Sequence, residues 1–278
     1  MKIAVLSGKG GAGKTFISVN LAAMCPHSVY IDCDVEEPNG RLFFKPSDLK
    51  EENVYTVVPE FNESLCNGCR ACVDFCRFNA IVYLKNKPMV FNDVCHACGG
   101  CSLVCPTKAI SEVNRKVGII EYGKSKDVTV VTGVLNLGEA SAVPVIKSAL
   151  EYGCNQGDTV FIDCPPGSSC SVVESITDAD YCVITVEATA FGFHDFKMVY
   201  ELTKLLGKKI GVVINKAEND YQPLLHFCEQ QDIPVLLRIP FNKDIASTIS
   251  LGEIASLNYE SYADMFRALL DRIRSECK

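Results

Sequence analysis

Short runs of consecutive apolar, β-favouring residues alternate with helical patterns along most of the chain. The runs lie at Lys2 to Leu6, Val29 to Asp32, Val128 to Gly133, Val160 to Asp163, Tyr181 to Val186, Ile210 to Asn215 and Val235 to Ile239. Continuous hydrophobicity is what a strand covered on both faces requires, since neither side of it meets water. Such strands separated by helices predict βαβ units, and hence an α/β fold with a doubly wound, mostly parallel sheet. Near the end, Tyr262, Phe266, Leu269, Leu270 and Ile273 recur at helical spacing among Arg267, Arg272 and Arg274. The acids Glu260, Asp264, Asp271 and Glu276 flank that stripe, which predicts a helix packed on the core rather than one laid on an anionic membrane.

The rhythm breaks between Phe61 and Ser111. Cysteines crowd this stretch, and the segment Cys66 to Cys76 is echoed by Cys95 to Cys105. Because strand-and-helix order resumes afterwards, residues 61–111 read as an inserted α+β module, with 1–60 and 112–278 forming one discontinuous main domain. Val117 to Tyr122, ended by Gly123, predicts the strand on which the chain returns.

Composition narrows the chemistry. A net charge of -7 opposes close approach to phosphate backbones, so no nucleic-acid partner is expected. No apolar run is long enough to span a bilayer. Sixteen cysteines without a secretory leader predict a cytoplasmic protein that uses thiols for metal or cluster ligation rather than crosslinks.

The loop Gly8-Lys9-Gly10-Gly11-Ala12-Gly13-Lys14-Thr15 follows the first predicted strand and precedes an apolar helical stretch from Phe16 to Met24. Strand, glycine-rich loop and helix in that order make a phosphate cradle: the backbone N–H groups turn inward and the helix N-terminus adds positive potential. Lys14 is then placed to reach the β- and γ-phosphates, and the Thr15 hydroxyl to bind Mg²⁺. Asp32-Cys33-Asp34 ends the second run, leading into Val35-Glu36-Glu37-Pro38-Asn39, and Asp163-Cys164-Pro165-Pro166-Gly167 ends the fourth. Carboxylates at the C-terminal ends of strands stand where an α/β sheet presents its ligand crevice. Asp163 has the place of a Mg²⁺-holding Walker B aspartate, Asp32 that of a structural residue, and Gly167 that of an N–H donor to the γ-phosphate.

With its second lysine, Lys9, the sequence GKGGAGKT resembles the deviant Walker A family that includes MinD, ParA, the nitrogenase iron protein and the Mrp-type cluster carriers. The resemblance covers nearly the whole chain. It implies an ATPase, with ATP or ADP and Mg²⁺ bound, that forms an ATP-dependent homodimer in which Lys9 crosses to the partner's nucleotide. A cation delivered in this way stabilises charge on the transferring phosphoryl group. The resemblance also implies that Asp34, in switch I with Asn39 nearby, orients the attacking water or its Mg²⁺ contact. Asn215 and Lys216 match the adenine-reading segment, and Pro240, within Arg238-Ile239-Pro240-Phe241, matches a loop closing over the base. His194, in Phe191-Gly192-Phe193-His194-Asp195, resembles a run found in family members with an inserted ferredoxin, and reads as a helix-start histidine.

Cys66-x2-Cys69-x2-Cys72-x3-Cys76 and Cys95-x2-Cys98-x2-Cys101-x3-Cys105-Pro106 match the bacterial ferredoxin ligand pattern. In that pattern three closely spaced thiolates cap one cubane and the fourth cysteine ligates the other. One 4Fe-4S cluster is thus expected on Cys66, Cys69, Cys72 and Cys105, and a second on Cys76, Cys95, Cys98 and Cys101. A pair of zinc sites is the alternative, which the x2, x2, x3 spacing fits less well. The first motif departs from the family in placing Arg77 where proline is usual. Cys25, Cys33, Cys154, Cys164, Cys170, Cys182, Cys228 and Cys277 show no paired spacing and read mostly as small buried hydrophobes.

Together these features predict an ATPase whose nucleotide cycle gates electron transfer, or supports cluster handling, with a redox or cluster-accepting protein partner. A nucleotide-switched positioning or scaffold protein that uses its clusters as a redox sensor is the alternative. An ATP-dependent amidoligase comes last, since the chain has no room for a glutaminase domain.

Overall fold

The computed structural model describes residues 1–217 and 221–277. Its strands are β1 (Lys2–Leu6), β2 (Val29–Asp32), β3 (Ser47–Phe61), β4 (Ile81–Leu84), β5 (Lys87–Val90), β6 (Ile110–Ser125), β7 (Val128–Leu135), β8 (Val160–Asp163), β9 (Tyr181–Glu187), β10 (Ile210–Asn215) and β11 (Val235–Ile239). The helices are α1 (Lys14–Ala23), α2 (Gly40–Phe44), α3 (Ala71–Phe75), α4 (Gly100–Val104), α5 (Val143–Gly153), α6 (Cys170–Ile176), α7 (Ala190–Leu205), α8 (Gln222–Gln230), α9 (Lys243–Ser250), α10 (Ala255–Asn258) and α11 (Glu260–Glu276).

The main sheet has nine strands in the order β11-β10-β9-β1-β8-β2-β7-β6-β3. It is parallel from β11 through β7, and β6 and β3 then add an antiparallel arm at the edge. Alternate residues of each central strand feed opposite cores. On β1, Ala4 and Leu6 join a layer with Ile146 of α5, Val172 of α6 and Phe196 of α7. Ile3 and Val5 join the other layer, with Ile17 of α1 and Phe266 and Ile273 of α11. This two-sided burial is why the strands read as continuous apolar runs. The Phe266 stripe lies in the core, as its flanking acids predicted.

Three strands were not legible: the short β4 and β5 within the cysteine-rich segment, and β3, which the apolar pattern passes over. Of the β3 residues only Val54, Val58 and Pro59 are buried, because it is the outer edge of the sheet. The return strand extends beyond the predicted 117–122, to Ile110–Ser125, because none of its residues outside that stretch is buried and they leave no apolar run. Between Gly118 and Lys124, β6 pairs with both β3 and β7, whereas Ile110 to Lys116 pairs with β3 alone. The two strands thus leave the sheet as a two-stranded ribbon, and the cysteine-rich segment hangs from its tip.

Candidate functional site

The C-terminal ends of β1, β2, β8 and β10 open onto a cleft of about 900 Å³. Its floor is the loop between β1 and α1. Gly11 (φ 79°) and Gly13 (φ 98°) both occupy the left-handed region, where a side chain would be strained. A Cβ on Gly13 would also stand 2.2 Å from Nδ2 of Asn215. That amide donates to the Ala12 carbonyl (3.0 Å), so Asn215 braces the loop as well as lining the cleft. Lys14, Thr15, Phe16, Asp34, Asn39, Lys216 and Pro240 share the lining with Gly10, Gly11 and Gly13.

Other predicted residues stand behind or beside it. Gly8 packs against α7, where a Cβ would lie 2.2 Å from the Asp195 carbonyl oxygen. Ala12 is buried beneath the loop. Gly167 (φ 88°) donates its N–H to the Ser7 carbonyl at 2.9 Å, so the expected free donor for a γ-phosphate is engaged within the chain. Exchange of that bond is the rearrangement its predicted role requires.

The carboxylates gather at the C-terminal ends of β2 and β8. Asp32 and Asp163 face each other in register across β2 and β8, both fully buried. Asp32 accepts N–H bonds from Asp34 (3.1 Å) and Gly40 (2.8 Å) and so ties down the loop that follows β2. Burial and the facing Asp163 push its pKa well up. The Oδ2 of Asp163 accepts from the Tyr30 hydroxyl at 2.9 Å, while its Oδ1 is buried without a partner. Burial also raises the Asp163 pKa, against the pull of Lys14 and the neighbouring Thr15 hydroxyl. An orphaned carboxylate oxygen beside a threonine hydroxyl and a second buried acid is a donor set that suits Mg²⁺. Asp34 is half-buried, and desolvation lifts its pKa to about 6 despite Lys14.

Two residues of this site escaped the sequence reading. Tyr30 precedes Asp32 by two positions on β2 and therefore points to the same face, a signal that period-2 reasoning could have used. Glu187 ends β9 in register with Asn215, another carboxylate at a strand's C-terminal end. It binds Lys9 (2.9 Å) and Lys216 (2.6 Å) at once, and Lys216 in turn donates to the Gly11 carbonyl (3.0 Å). Lys9, expected to reach across to a partner, is thus paired within its own chain. His194 falls in the first turns of α7, largely exposed, with Asp195 3.4 Å away.

At the ribbon tip, the sequence repeat is also a repeat of backbone shape. Gly68 and Ala97, Arg70 and Gly99, and Asn79 and Lys108 all hold positive φ at equivalent positions. Ala80 N–H donates to Cys76 Sγ (3.4 Å), and Ala109 N–H donates likewise to Cys105 Sγ (3.3 Å). One small cavity is lined by Cys66, Cys69, Cys72 and Cys105, and another by Cys76, Cys95, Cys98 and Cys101. Phe61, Tyr83 and Ile110 wall the first and Phe75, Phe78 and Ile81 the second. Among the described residues, no group of three or more His, Cys, Asp or Glu is gathered as a site for a metal ion. Of the cysteines outside the repeat, Cys25, Cys33, Cys164, Cys182 and Cys228 are buried, Cys154 and Cys277 partly so, and Cys170 is exposed.

A glycine-rich loop between the first strand and helix of a parallel sheet, with two buried strand-end aspartates, defines a P-loop nucleotide-binding protein. Residues 3–254 match the model of the CobQ/CobB/MinD/ParA nucleotide binding domain, and the chain belongs to that family. It is 32% identical to the uncharacterized protein MJ0578 of Methanocaldococcus jannaschii, over 98% of both chains. It is 23% identical to the uncharacterized ATP-binding protein MJ0547 of the same organism, over 90% of this chain and 78% of that one. Its fold is similar to that of the septum site-determining protein MinD in complex with Mg-ADP from Pyrococcus horikoshii. That likeness has a TM-score of 0.60 at 18% identity, covering 98% of this chain and 95% of the other.

Proposed function

We propose that this protein is a MinD/ParA-type ATPase whose nucleotide cycle gates electron transfer through two 4Fe-4S clusters carried on the 61–111 module. The observation that carries the reading is the pair of cavities at the ribbon tip, each lined by four cysteines, with the fourth of each motif contributed to the other cavity. A zinc ion needs four sulfurs about 2.3 Å from one point. The x2, x2, x3 spacing and the apolar walls suit a cubane better, and the N–H bonds to Cys76 and Cys105 are of the kind that tune thiolates on a cluster. When bound, the clusters supply one-electron redox chemistry.

Lys14 and the N–H groups of the glycine loop hold the ATP phosphates, while Thr15 and Asp163 hold Mg²⁺. Asp34, once ionised, orients the attacking water. Asn215, Lys216 and Pro240 border the base. Lys9 leaves Glu187 to meet the nucleotide of a second copy, which makes the active form an ATP-dependent homodimer. The electron partner is a redox protein that docks on the module.

The test is anaerobic purification with iron and sulfide analysis, followed by cluster reduction with dithionite or a ferredoxin in the presence of Mg-ADP or a non-hydrolysable ATP analogue. About eight irons per chain and nucleotide-dependent reduction rates are expected. Equal rates would sink the gating, and material without iron would sink the redox reading altogether.

A further inference from the structure

The gating reading requires a physical connection between the nucleotide cleft and the cysteine module, and the hydrogen bonds supply one. Val35, the residue after Asp34 in switch I, accepts from Leu135 N–H at the end of β7 (2.9 Å). Its side chain also sits over Gly133, where an added Cβ would lie 2.5 Å from Val35 Cγ1. The next residue, Asn136, is fastened to the ribbon: its N–H donates to the Val117 carbonyl (2.9 Å) and its Nδ2 to the Lys116 carbonyl (3.2 Å). Three residues on, Glu139 meets Arg115 of β6 in a two-pronged pair, with Nη1 to Oε1 at 2.8 Å and Nη2 to Oε2 at 2.6 Å.

That pair is unlike the surface ion pairs elsewhere in the molecule. The Glu139 side chain is only 7% exposed and that of Arg115 20%. A guanidinium fork on a carboxylate fixes distance and angle together, so motion of one partner is passed to the other. Arg115 also reaches into the module. Its Nη2 donates to the Asn92 carbonyl (3.2 Å), the same oxygen that accepts the N–H of Cys95 (3.2 Å). Arg115 therefore holds the turn that presents Cys95 to its cavity.

We propose that Arg115 and Glu139 are positioning residues that couple switch I to the Cys95 turn. When the Asp34–Val35 segment closes on a γ-phosphate, the Leu135–Glu139 loop moves with it, and the fork carries the shift to Asn92 and Cys95. This rests on the gating reading but names a single route for it. The route is mechanical: switch I is the element with two arrangements, and Arg115 and Glu139 transmit its position.

Hydrogen exchange of the full chain, purified anaerobically, tests the route without relying on redox activity. Peptides covering 92–98 and 136–140 are followed with Mg-ADP and with a non-hydrolysable ATP analogue. In the wild-type chain both peptides are expected to change exchange rate several-fold between the two nucleotides. Glu139→Gln, which keeps size but loses the charge, and Arg115→Lys, which keeps the charge but loses the fork, are expected to retain nucleotide affinity while the difference at 92–98 collapses. A folded variant that keeps the wild-type difference overturns the route and leaves the gating reading standing. Wild-type protein in which 92–98 responds while 136–140 does not also overturns the route, whether or not the variants fold. A wild-type chain in which 92–98 does not respond to nucleotide also overturns the route, while the comparison of reduction rates decides the gating reading separately.

Discussion

Asp34 carries the clearest pH signature in the molecule. Burial holds its pKa at about 6 rather than the ordinary 3.8, with Lys14 opposing and Asp163, Glu37 and Glu36 reinforcing the shift. In the role proposed for Asp34 only the carboxylate form orients water, so kcat/KM for ATP hydrolysis is expected to rise with pH through about 6 and then level off. Asp34→Asn should abolish that limb and cost about 10²- to 10⁴-fold in rate, read from a pH profile of phosphate release. The stability sign runs the other way. The folded chain binds this proton more tightly than the unfolded one, so the stabilisation is complete below the ordinary pKa and is lost as pH rises through 6. Asp34→Asn should therefore melt higher than wild type at pH 7.5 and no higher at pH 4; the reverse pattern would contradict the burial argument. Glu187 makes a second residue-scale prediction. Its bond to Lys9 is half-exposed, worth about 0–1 kcal/mol. Glu187→Gln should free Lys9 and tighten ATP-dependent self-association by no more than about fivefold, while Lys9→Ala should eliminate it; sedimentation with and without the ATP analogue measures both.

Among the elements, those that sequence pattern made legible are the ones with one dominant physical demand. The central strands had to be apolar on both faces, and α11 had to present Phe266, Leu269, Leu270 and Ile273 to a single core. The glycine loop was legible because its positive φ values and close backbone approach admit little else. β3 was not, because an edge strand satisfies its outer face with water and charge and so carries no apolar signature; Lys50, Glu51 and Glu52 lie in its exposed half. Nor was the pairing of Lys9 with Glu187, which depends on a loop and the end of a distant strand meeting in space. The α11 stripe has a consequence for the site. Phe266 is fully buried and meets Phe16, the second residue after Lys14, edge to face at 5.6 Å. Phe266→Ala should lower stability by about 3–5 kcal/mol and weaken nucleotide binding through the slackened start of α1. Chemical denaturation and nucleotide titration would separate the two effects, and full nucleotide affinity in a destabilised variant would count against the Phe16 link.

At the scale of the whole molecule, the sheet domain and the cysteine-rich segment are held together by different means. The sheet domain has two continuous apolar layers on either side of it. The segment 61–111 has almost none: its buried apolar side chains are Ala80, Ile81, Pro88, Cys101 and Ala109, while Phe75, Phe91 and Leu103 stay 46%, 48% and 87% exposed. A unit of about fifty residues with so small a core falls below what hydrophobic burial alone stabilises, and such units rely on metal or disulfide staples. All sixteen cysteines are free, so no disulfide serves here. Under the cluster reading, the staple is ligation by the eight repeat cysteines, which links the two halves of the module because each motif lends its fourth thiolate to the other's cavity. Removing iron with a chelator should therefore raise hydrogen exchange across 61–111 toward the rate of unfolded chain. The sheet domain should still be stabilised by Mg-ATP, by about 2.7 kcal/mol at a hundredfold excess over Kd. Replacing Cys76 or Cys105 should loosen both lobes of the module rather than one, since each bridges from its own motif to the other cavity. A module that keeps its protection after iron is gone, or that loosens in only one lobe, would mean that the polypeptide alone holds this shape and that the crossed arrangement does no structural work.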